Sequence, residues 1–511
     1  MKHKKSKKFF QKILSLVVLS SLFVQVFSIT AFATEQLKGD VNDDGKISLA
    51  DARMVLNSVA KIEELPEEKM SVADFDGDGV LTFDDARNIL LLSIDLPPEY
   101  LGMTFFTQLT PKKSNDGITS KSKFCMVLKN YAETLPATPV DNKSNPLYSP
   151  LLAGTYDYIK SGPVKHEDSG QEFYVLKSGR RVYSDSVKVF TGYNMPTNKI
   201  EVMDKVETFN SNTTFYLKLD WRVPFNVVVK PQSYEKGYNS REYNIKDGAF
   251  TATYMDITFY YTSSPFGEIS FPDSDMLKGM KWIENDEKET VTLRLYFKNE
   301  GEFAGYNIYY DENNYLVVSV KEPSYALNDR VIMIDPGHGG NQPGAGSGTG
   351  VFEKDVTYKI ATELSALLEA QGATVLFSRD NSSSVPEIEE RRLNTYSLNP
   401  DMFISIHCDS SDSSSANGSS VYYYKNYSGP LAFAISKSLP GAVKSSTGYA
   451  MKNKGAHFYP FLVTRVETCP SVLVECGFIS NSSDFKIINS SSGRKAIAKG
   501  IYEGVMDYYG Y

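Results

Sequence analysis

Cysteine is scarce in this chain, since only four of its 511 residues carry a thiol, at positions 125, 408, 469 and 476. Four thiols are too few for the dense disulfide framework of small secreted domains. Packing of apolar side chains must therefore stabilise the fold. A surplus of positive charge is also lacking, because the formal net charge is -8. Nucleic-acid binders need a basic face to displace counterions from phosphates, so this charge argues against nucleic acid as a partner.

Long apolar runs are absent after the first 33 residues. The chain begins with a lysine-rich segment, and a mostly apolar stretch from Ile13 to Phe32 ends in the small-x-small triplet Ala31-Phe32-Ala33. Residues 1–33 therefore predict a signal peptide and a secreted protein without a stable membrane span after cleavage. An uncleaved anchor is the alternative, because an apolar run of about 20 residues is long enough to cross a bilayer.

The bulk composition is that of a folded protein with several domains. Hydrophobic residues make up 41% of the chain and charged residues 23%, which argues against a disordered chain and a multi-span membrane protein. The length of 511 residues exceeds that of a typical single domain. We therefore expect two to four modules, each with its own core.

A repeat follows the signal, because the segment 40–51 recurs at 74–85. In both copies oxygen-bearing side chains occupy loop positions 1, 3, 5, 9 and 12, and glycine occupies position 6, as in the calcium loop of an EF-hand. A hard cation such as Ca²⁺ prefers a cage of oxygen ligands. The predicted calcium ligands are Asp40, Asn42, Asp44, Ser48 and Asp51 in the first loop and Asp74, Asp76, Asp78, Thr82 and Asp85 in the second.

Each loop ends in aspartate, where an EF-hand has glutamate, and is followed by an Ala-Arg-x-aliphatic-Leu segment that starts at Ala52 or Ala86. In these features residues 37–95 resemble a type I dockerin. The resemblance implies a small, α-helical, duplicated module that folds around two Ca²⁺ ions. It also implies docking to a cohesin module of a cellulosome-type scaffolding protein. The alternative is a calcium-stabilised spacer that has no partner.

Residues 329–511 alternate strand and helix patterns, which predicts an α/β domain with a mostly parallel central sheet flanked by helices. Three predicted strands end at or near His338, His407 and Glu475, and a predicted helix begins near Glu353. Sites in open α/β sheets form beyond the carboxyl ends of the strands, so we expect these four side chains to meet there. Two imidazoles and a carboxylate form a common catalytic zinc set, and a second carboxylate can transfer protons.

Four segments carry a resemblance to the zinc amidase family of cell-wall hydrolases. They are Ile334-Asp-Pro-Gly-His338-Gly-Gly, Glu353-Lys-Asp-Val356, Ser405-Ile-His407 and Leu473-Val-Glu475-Cys-Gly-Phe478-Ile-Ser-Asn481. The resemblance implies that one zinc ion, bound by His338, Glu353 and His407, activates water to cleave the amide between N-acetylmuramic acid and the L-alanine of the stem peptide. Glu475 becomes the catalytic glutamate. The alternatives are another zinc wall hydrolase, either a peptidase or a deacetylase, and a non-catalytic wall-binding scaffold component.

The chain departs from the family pattern at one place. Arg391 matches a family arginine, but Thr395-Tyr396 stands where the family usually has Ala-Asn. We expect this departure to change the contacts of the surrounding helix and to leave catalysis intact. The adjacent residues Cys408 and Cys476 should point away from the metal, as buried thiols or, if their strands are neighbours, as a disulfide.

The central part of the chain carries weaker signals. Residues 96–150 are rich in Pro, Ser, Lys and Asn, which predicts a linker of uncertain structure, and the short Tyr, Phe, Thr and Val runs of 151–325 predict one or two β-rich modules. The later part resembles the AMIN domain, and the resemblance depends on two segments, Lys281-Trp-Ile-Glu284 and Glu302-Phe-Ala-Gly305-Tyr306. The resemblance implies a localisation or wall-binding module. A strand core rich in aromatic residues, without any ligand, is the alternative.

Overall fold

The structure is a computed structural model that describes residues 38–59, 64–75, 81, 85–86, 89, 122–136, 148–165, 170–192, 195–209, 212–230, 235–236, 243–244, 250–311, 313–380 and 385–510. The predicted signal peptide at 1–33 and much of the predicted linker at 96–150 lie outside these residues. Within them, no helix combines the length and the apolar character that a membrane crossing requires. The chain divides into two compact units, Met1–Asp95 and Leu96–Tyr511.

The first unit contains the duplicated loops. Its described helices are α1 (Leu49–Val59) and the single-turn α2 (Met70–Ala73). Val41, Val55, Ala73 and Ile89 belong to its buried core, together with alanines at 52 and 86. An equivalent hydrogen bond closes each of the two loops. The backbone N–H of the second loop residue donates to the closing aspartate, from Val41 to Asp51 at 2.8 Å and from Phe75 to Asp85 at 2.6 Å.

The second unit begins with an antiparallel sheet in the order β2-β5-β4-β3-β1-β6. Its strands are β1 (Ser122–Val127), β2 (Thr134–Pro136), β3 (Tyr156–Lys165), β4 (Glu172–Leu176), β5 (Arg180–Tyr183) and β6 (Val187–Gly192). β1 and β2 fall inside the segment 96–150, where we expected a linker. β1 pairs with both β3 and β6 and buries Phe124 to Val127, so this short apolar run is an integral strand.

Two further sheets pack together around a second core. They have the orders β13-β7-β8-β17-β16 and β14-β15-β12-β9, and β10 and β11 form a separate ribbon. The strands are β7 (Asn198–Phe209), β8 (Asn212–Leu219), β9 (Phe225–Lys230), β10 (Glu235–Lys236), β11 (Tyr243–Asn244), β12 (Tyr254–Tyr260), β13 (Thr262–Phe266), β14 (Leu277–Asn285), β15 (Thr290–Phe297), β16 (Tyr306–Tyr310) and β17 (Leu316–Lys321). Alternate residues of β8, β12 and β15 are buried, as expected where one face of a sheet packs on a core.

The last part of the unit is an α/β layer. Its strands are β18 (Val331–Pro336), β19 (Thr374–Phe377), β20 (Met402–Asp409), β21 (Ser419–Tyr423), β22 (Asn453–Phe458) and β23 (Ser471–Phe478), and its helices are α3 (Glu353–Glu369), α4 (Ile388–Leu398), α5 (Gly429–Thr447), α6 (Ser482–Asn489) and α7 (Ser491–Tyr509). The sheet order is β19-β18-β20-β23-β21-β22. All neighbouring strands are parallel except β21 and β23, which are antiparallel. The chain is thus multidomain and has many strands, as predicted.

Side-chain alternation gives the two faces of this sheet different roles. One face is apolar and forms the main core with α3, α5 and α7, and it includes Cys408 and Cys476. Both residues are buried free thiols, so of the two sequence-based alternatives the structure has thiols and not a disulfide. The opposite face carries His407 on β20 and Glu475 on β23, which are direct neighbours in the parallel register.

Candidate metal centre

The four residues predicted to form a site lie at the carboxyl ends of the central strands. His338 is in the turn after β18, Glu353 is the first residue of α3, His407 is near the end of β20, and Glu475 is near the end of β23. Because β18, β20 and β23 run parallel, their carboxyl ends lie at one edge of the sheet. Residues far apart in the chain therefore meet in one crevice.

Glu353 links the two histidines. Its Oε2 lies 3.1 Å from His338 Nε2, and its Oε1 lies 2.9 Å from His407 Nδ1. One ligand atom from each of the three side chains lies within 4.8 Å of the others, which no other group of three His, Cys, Asp or Glu residues does in the described part of the chain. Two imidazole nitrogens and one carboxylate oxygen are a donor set that suits a catalytic Zn²⁺ ion.

The electrostatics of Glu353 favour its ionised form. Burial disfavours the charge, but hydrogen bonds from His338 and His407 outweigh burial and hold the pKa of this carboxyl well below its usual range. Backbone N–H groups of Ala345 and Cys408 also donate to its oxygens, at 2.9 and 3.0 Å. A charged, rigidly held carboxylate is the form that binds a metal ion.

The glycine-rich loop after β18 provides room for these side chains. A Cβ atom on Gly337 would lie 2.4 Å from the ring of His407, and one on Gly344 would lie 2.6 Å from Glu353 Oε2. Gly344 also has a φ of +69°, which favours glycine. His338 itself has a φ of +60°, an unfavourable conformation for a residue with a side chain, and it directs the imidazole toward Glu353.

Glu475 is partly buried beside this group, and its Oε2 atom is shielded from solvent and has no hydrogen-bond partner among the described residues. Burial, followed by the negative charges of Glu353 and Asp409, raises the pKa of Glu475 well above its usual range, while Lys454 acts in the opposite direction. A carboxyl group in such surroundings can hold a proton near neutral pH. An unpartnered carboxyl oxygen next to a candidate metal site is also free to contact a substrate.

Asp335 and Arg379, two buried residues that the sequence analysis did not single out, support the His338 turn together with Arg391. Asp335 accepts hydrogen bonds from Arg391 at 3.0 Å and from Ser405 at 2.7 Å, and Arg391 also donates to the carbonyl of His338 at 2.7 Å. Burial opposes the charge of Asp335, but the Arg391 guanidinium keeps its pKa below the usual value. A second buried arginine, Arg379, donates to the carbonyl of Pro336 at 2.8 Å. The position of Asp335 directly before Pro-Gly-His was the available signal.

The departure at Thr395-Tyr396 has a structural counterpart. Tyr396 on α4 is 3% exposed, and its ring stacks on that of Tyr131 with centroids 3.9 Å apart. Arg392 donates to the Tyr131 carbonyl at 2.8 Å. Since Tyr131 follows β1, the same helix that carries Arg391 at the metal group also packs against the β-rich region.

The predicted calcium ligands are only partly described. In the first loop Asp51 also accepts from the backbone N–H of Asn42 and from Ser48, at 2.9 and 2.8 Å, and Asp40 accepts from the N–H of Asp44 at 3.2 Å. Hydrogen bonds to Asp40 and Asp51 therefore hold the backbone of the first loop in a closed conformation. In the second loop Asp74 and Asp85 are described, whereas Asp76, Asp78 and Thr82 lie outside the described residues.

Two family models match the chain. Residues 332–507 match the model of N-acetylmuramoyl-L-alanine amidases, and residues 38–89 match the type I dockerin domain. The first match contains all four residues of the site described above. These matches confirm both of the main resemblances read from the sequence.

Individual proteins are similar to parts of the chain. The probable cell wall amidase LytH of Staphylococcus saprophyticus is 36% identical over 232 residues, which cover 45% of this chain and 72% of that protein. The N-acetylmuramoyl-L-alanine amidase LytC of Bacillus subtilis is 34% identical over 178 residues, 35% of each chain. The catalytic domain of the amidase CwlV from Bacillus (Paenibacillus) polymyxa is 28% identical with a TM-score of 0.33, over 35% of this chain and 97% of that structure. This chain belongs to the N-acetylmuramoyl-L-alanine amidase family and carries a type I dockerin domain.

Proposed function

We propose that this protein is a secreted, zinc-dependent hydrolase that cleaves the amide bond between N-acetylmuramic acid and the L-alanine of the peptidoglycan stem. One observation carries the proposal: the carboxylate of Glu353 joins His338 and His407 within 4.8 Å, and Glu475 lies beside them with an unpartnered oxygen. In this proposal the first three residues bind Zn²⁺ and Glu475 is the catalytic residue. The family to which the chain belongs supports the choice of substrate.

The chain's own residues supply orientation and proton transfer. His338 and His407 have side chains that are 32% and 20% exposed, so the group opens toward the crevice. Bound Zn²⁺ supplies a Lewis acid that polarises the amide carbonyl and makes water more acidic. In its ionised form Glu475 accepts a proton from the attacking water, for which its raised pKa makes it a stronger base, and it then delivers this proton to the leaving L-alanine amine. The buried ion pair of Asp335 with Arg391, and the hydrogen bond from Arg391 to the His338 carbonyl, hold the His338 turn in place during these steps.

The test is digestion of purified peptidoglycan by residues 34–511, with mass spectrometry of the newly exposed amino termini. We expect peptides that begin with L-alanine, loss of this product after chelation, and its recovery when Zn²⁺ is added back. Other new amines or released acetate would instead identify a peptidase or a deacetylase. Wall binding without any product would contradict the enzymatic proposal.

We also propose that the first unit binds two Ca²⁺ ions and attaches the enzyme to a cohesin-bearing scaffold outside the cell. The support is the dockerin match together with the loop of 40–51, in which Asp40 and Asp51 accept hydrogen bonds from the backbone N–H groups of Asp44 and Ser48. A pull-down of the full chain with a panel of cohesins, in Ca²⁺ and in chelator, tests this proposal. Calcium-dependent binding to at least one cohesin is expected, and failure with every cohesin type in Ca²⁺ would overturn the docking function.

A further inference from the structure

Lys454 occupies an irregular position at the edge of the crevice. β22 pairs with β21 through Ser419 with Asn453 and then through Ser420 with Gly455, so Lys454 is the extra residue of a β-bulge. Ser420 is in turn the direct neighbour of Glu475. Bulges are frequent next to active sites because they redirect a side chain from the regular alternation of the strand. This bulge therefore lies two strands from the candidate catalytic carboxylate.

The Lys454 side chain extends across the ends of the neighbouring strands. Its ammonium group is 4.4 Å from the ring centroid of Phe478, the last residue of β23, and 4.0 Å from Asp409 Oδ2, at the end of β20. β23 and β21 separate β20 from β22 in the sheet, so the ammonium group lies over the carboxyl ends of the central strands. These are the ends that carry His407 and Glu475.

The ammonium group is available to a ligand. Lys454 Nζ makes no hydrogen bond within the described parts of the chain, and its one ion pair is at the 4.0 Å limit. The side chains of Lys454 and Asp409 are 33% and 28% exposed. Contact with the Phe478 ring supports the lysine near its end, so the group is held at the crevice with its three donors free.

We propose that Lys454 binds the free carboxylate of the glutamate that follows L-alanine in the stem peptide, and so makes the enzyme selective for stems in which that carboxylate is not amidated. The inference rests on the proposed amidase function and adds a substrate class to it. Asp409 pairs with the ammonium group only at 4.0 Å, so an incoming carboxylate can form a closer, charge-assisted contact with Lys454. An amidated stem lacks the negative charge and gains much less from this contact.

The experiment compares two muramoyl dipeptides that end in glutamate with its γ-carboxyl group blocked as an amide, one with a free α-carboxylate and one in which the α-carboxyl group is also an amide. The full chain, Lys454→Met, Lys454→Arg and the control Lys452→Met are assayed for release of L-alanine-terminated product. Lys454→Met keeps an apolar stem over Phe478 and removes only the charge. We expect this variant to raise KM for the acid form about tenfold, because one charge-assisted contact is lost. We expect kcat for both forms, and KM for the amide form, to stay within about twofold of the unmodified chain.

The arginine variant should restore most of the affinity for the acid form, and Lys452→Met should behave as the unmodified chain. An equal effect of Lys454→Met on both dipeptides, or no effect on either, would overturn the inference while product release upheld the amidase function. Equilibrium binding by calorimetry, with the full chain carrying Glu475→Gln, provides a readout without turnover. If neither the dipeptides nor purified peptidoglycan are cleaved, the amidase function fails, and loss of acid-form binding in Lys454→Met would still support the carboxylate site.

Discussion

The first calcium loop and the metal centre are both rich in ligand-type side chains, but they are assembled over very different lengths of chain. The predicted ligands of the loop lie between Asp40 and Asp51, and hydrogen bonds among neighbouring residues organise them. The metal centre draws on residues from His338 to Glu475, which meet because parallel strands end at one edge of the sheet. Local spacing can describe the first kind of site, whereas the second kind depends on topology.

The two sites also differ in how they depend on the surrounding structure. The α/β region packs against the β-rich region, through the Tyr131 and Tyr396 stack and through a hydrogen bond from the Tyr306 N–H to the Glu467 carbonyl at 3.0 Å. Glu467 is itself buried and paired with Lys425 at 2.5 Å. A change far from the metal centre can therefore reach it through α4, while the calcium loop depends mainly on its own residues.

The largest expected effect is on turnover, when Glu475, the proposed proton carrier of the metal centre, is replaced. Glu475→Gln keeps the side-chain shape but cannot accept a proton, so kcat should fall about 10²- to 10⁴-fold with metal content unchanged. Product release and bound zinc are measured on the same preparation. Glu503→Gln is the matched control, because Glu503 forms an exposed ion pair with Lys499 on α7. Near-full turnover with zinc retained would remove Glu475 from the mechanism.

The next effect tests whether the calcium loop is as local as it looks. Asp51 is fully buried and accepts backbone and side-chain hydrogen bonds across the loop, so Asp51→Asn should destabilise the calcium-bound first unit by about 2–3 kcal/mol. Calcium titration followed by circular dichroism measures this change. Asp43→Asn is the control, since Asp43 is exposed and its ion pair with Lys69 contributes about 1 kcal/mol or less. Peptidoglycan cleavage should not change in either variant, and a parallel loss of cleavage would break the comparison.

The smallest effect sharpens the role of the glycine-rich loop. Gly344→Ala places a Cβ 2.6 Å from Glu353 Oε2 and adds the strain of a left-handed residue, so zinc affinity should fall about tenfold or more. Gly348→Ala has the same backbone strain, at a φ of +75°, but its Cβ meets nothing within 4 Å. Chelator competition measures both variants. Equal affinities would show that room beside Glu353 is not what the loop provides.

Prediction from sequence succeeded where a pattern is short and chemically specific. The amidase and dockerin resemblances are confirmed. The three predicted zinc ligands and Glu475 lie together at one edge of the sheet, and their roles stay predictions. Prediction did not single out Asp335, although its position directly before Pro-Gly-His was an available signal, and it did not find Lys454, because a bulge residue leaves no spacing signal. It also missed β1 as a strand, since a run of five apolar residues within a polar segment does not reveal its partners β3 and β6. The AMIN-like character of the later β region and its wall-binding role remain predictions.

The sequence by itself determined the class of each region, because loop spacing, strand runs ending in histidine or glutamate, and helix periodicity are local properties of the chain. The tertiary structure decided which of these groups meet. Glu353 touches both histidines because β18, β20 and α3 converge, and Tyr396 stacks on Tyr131 because α4 packs against the segment after β1. Such contacts join residues tens to hundreds of positions apart, and only packing of the whole unit fixes their distances.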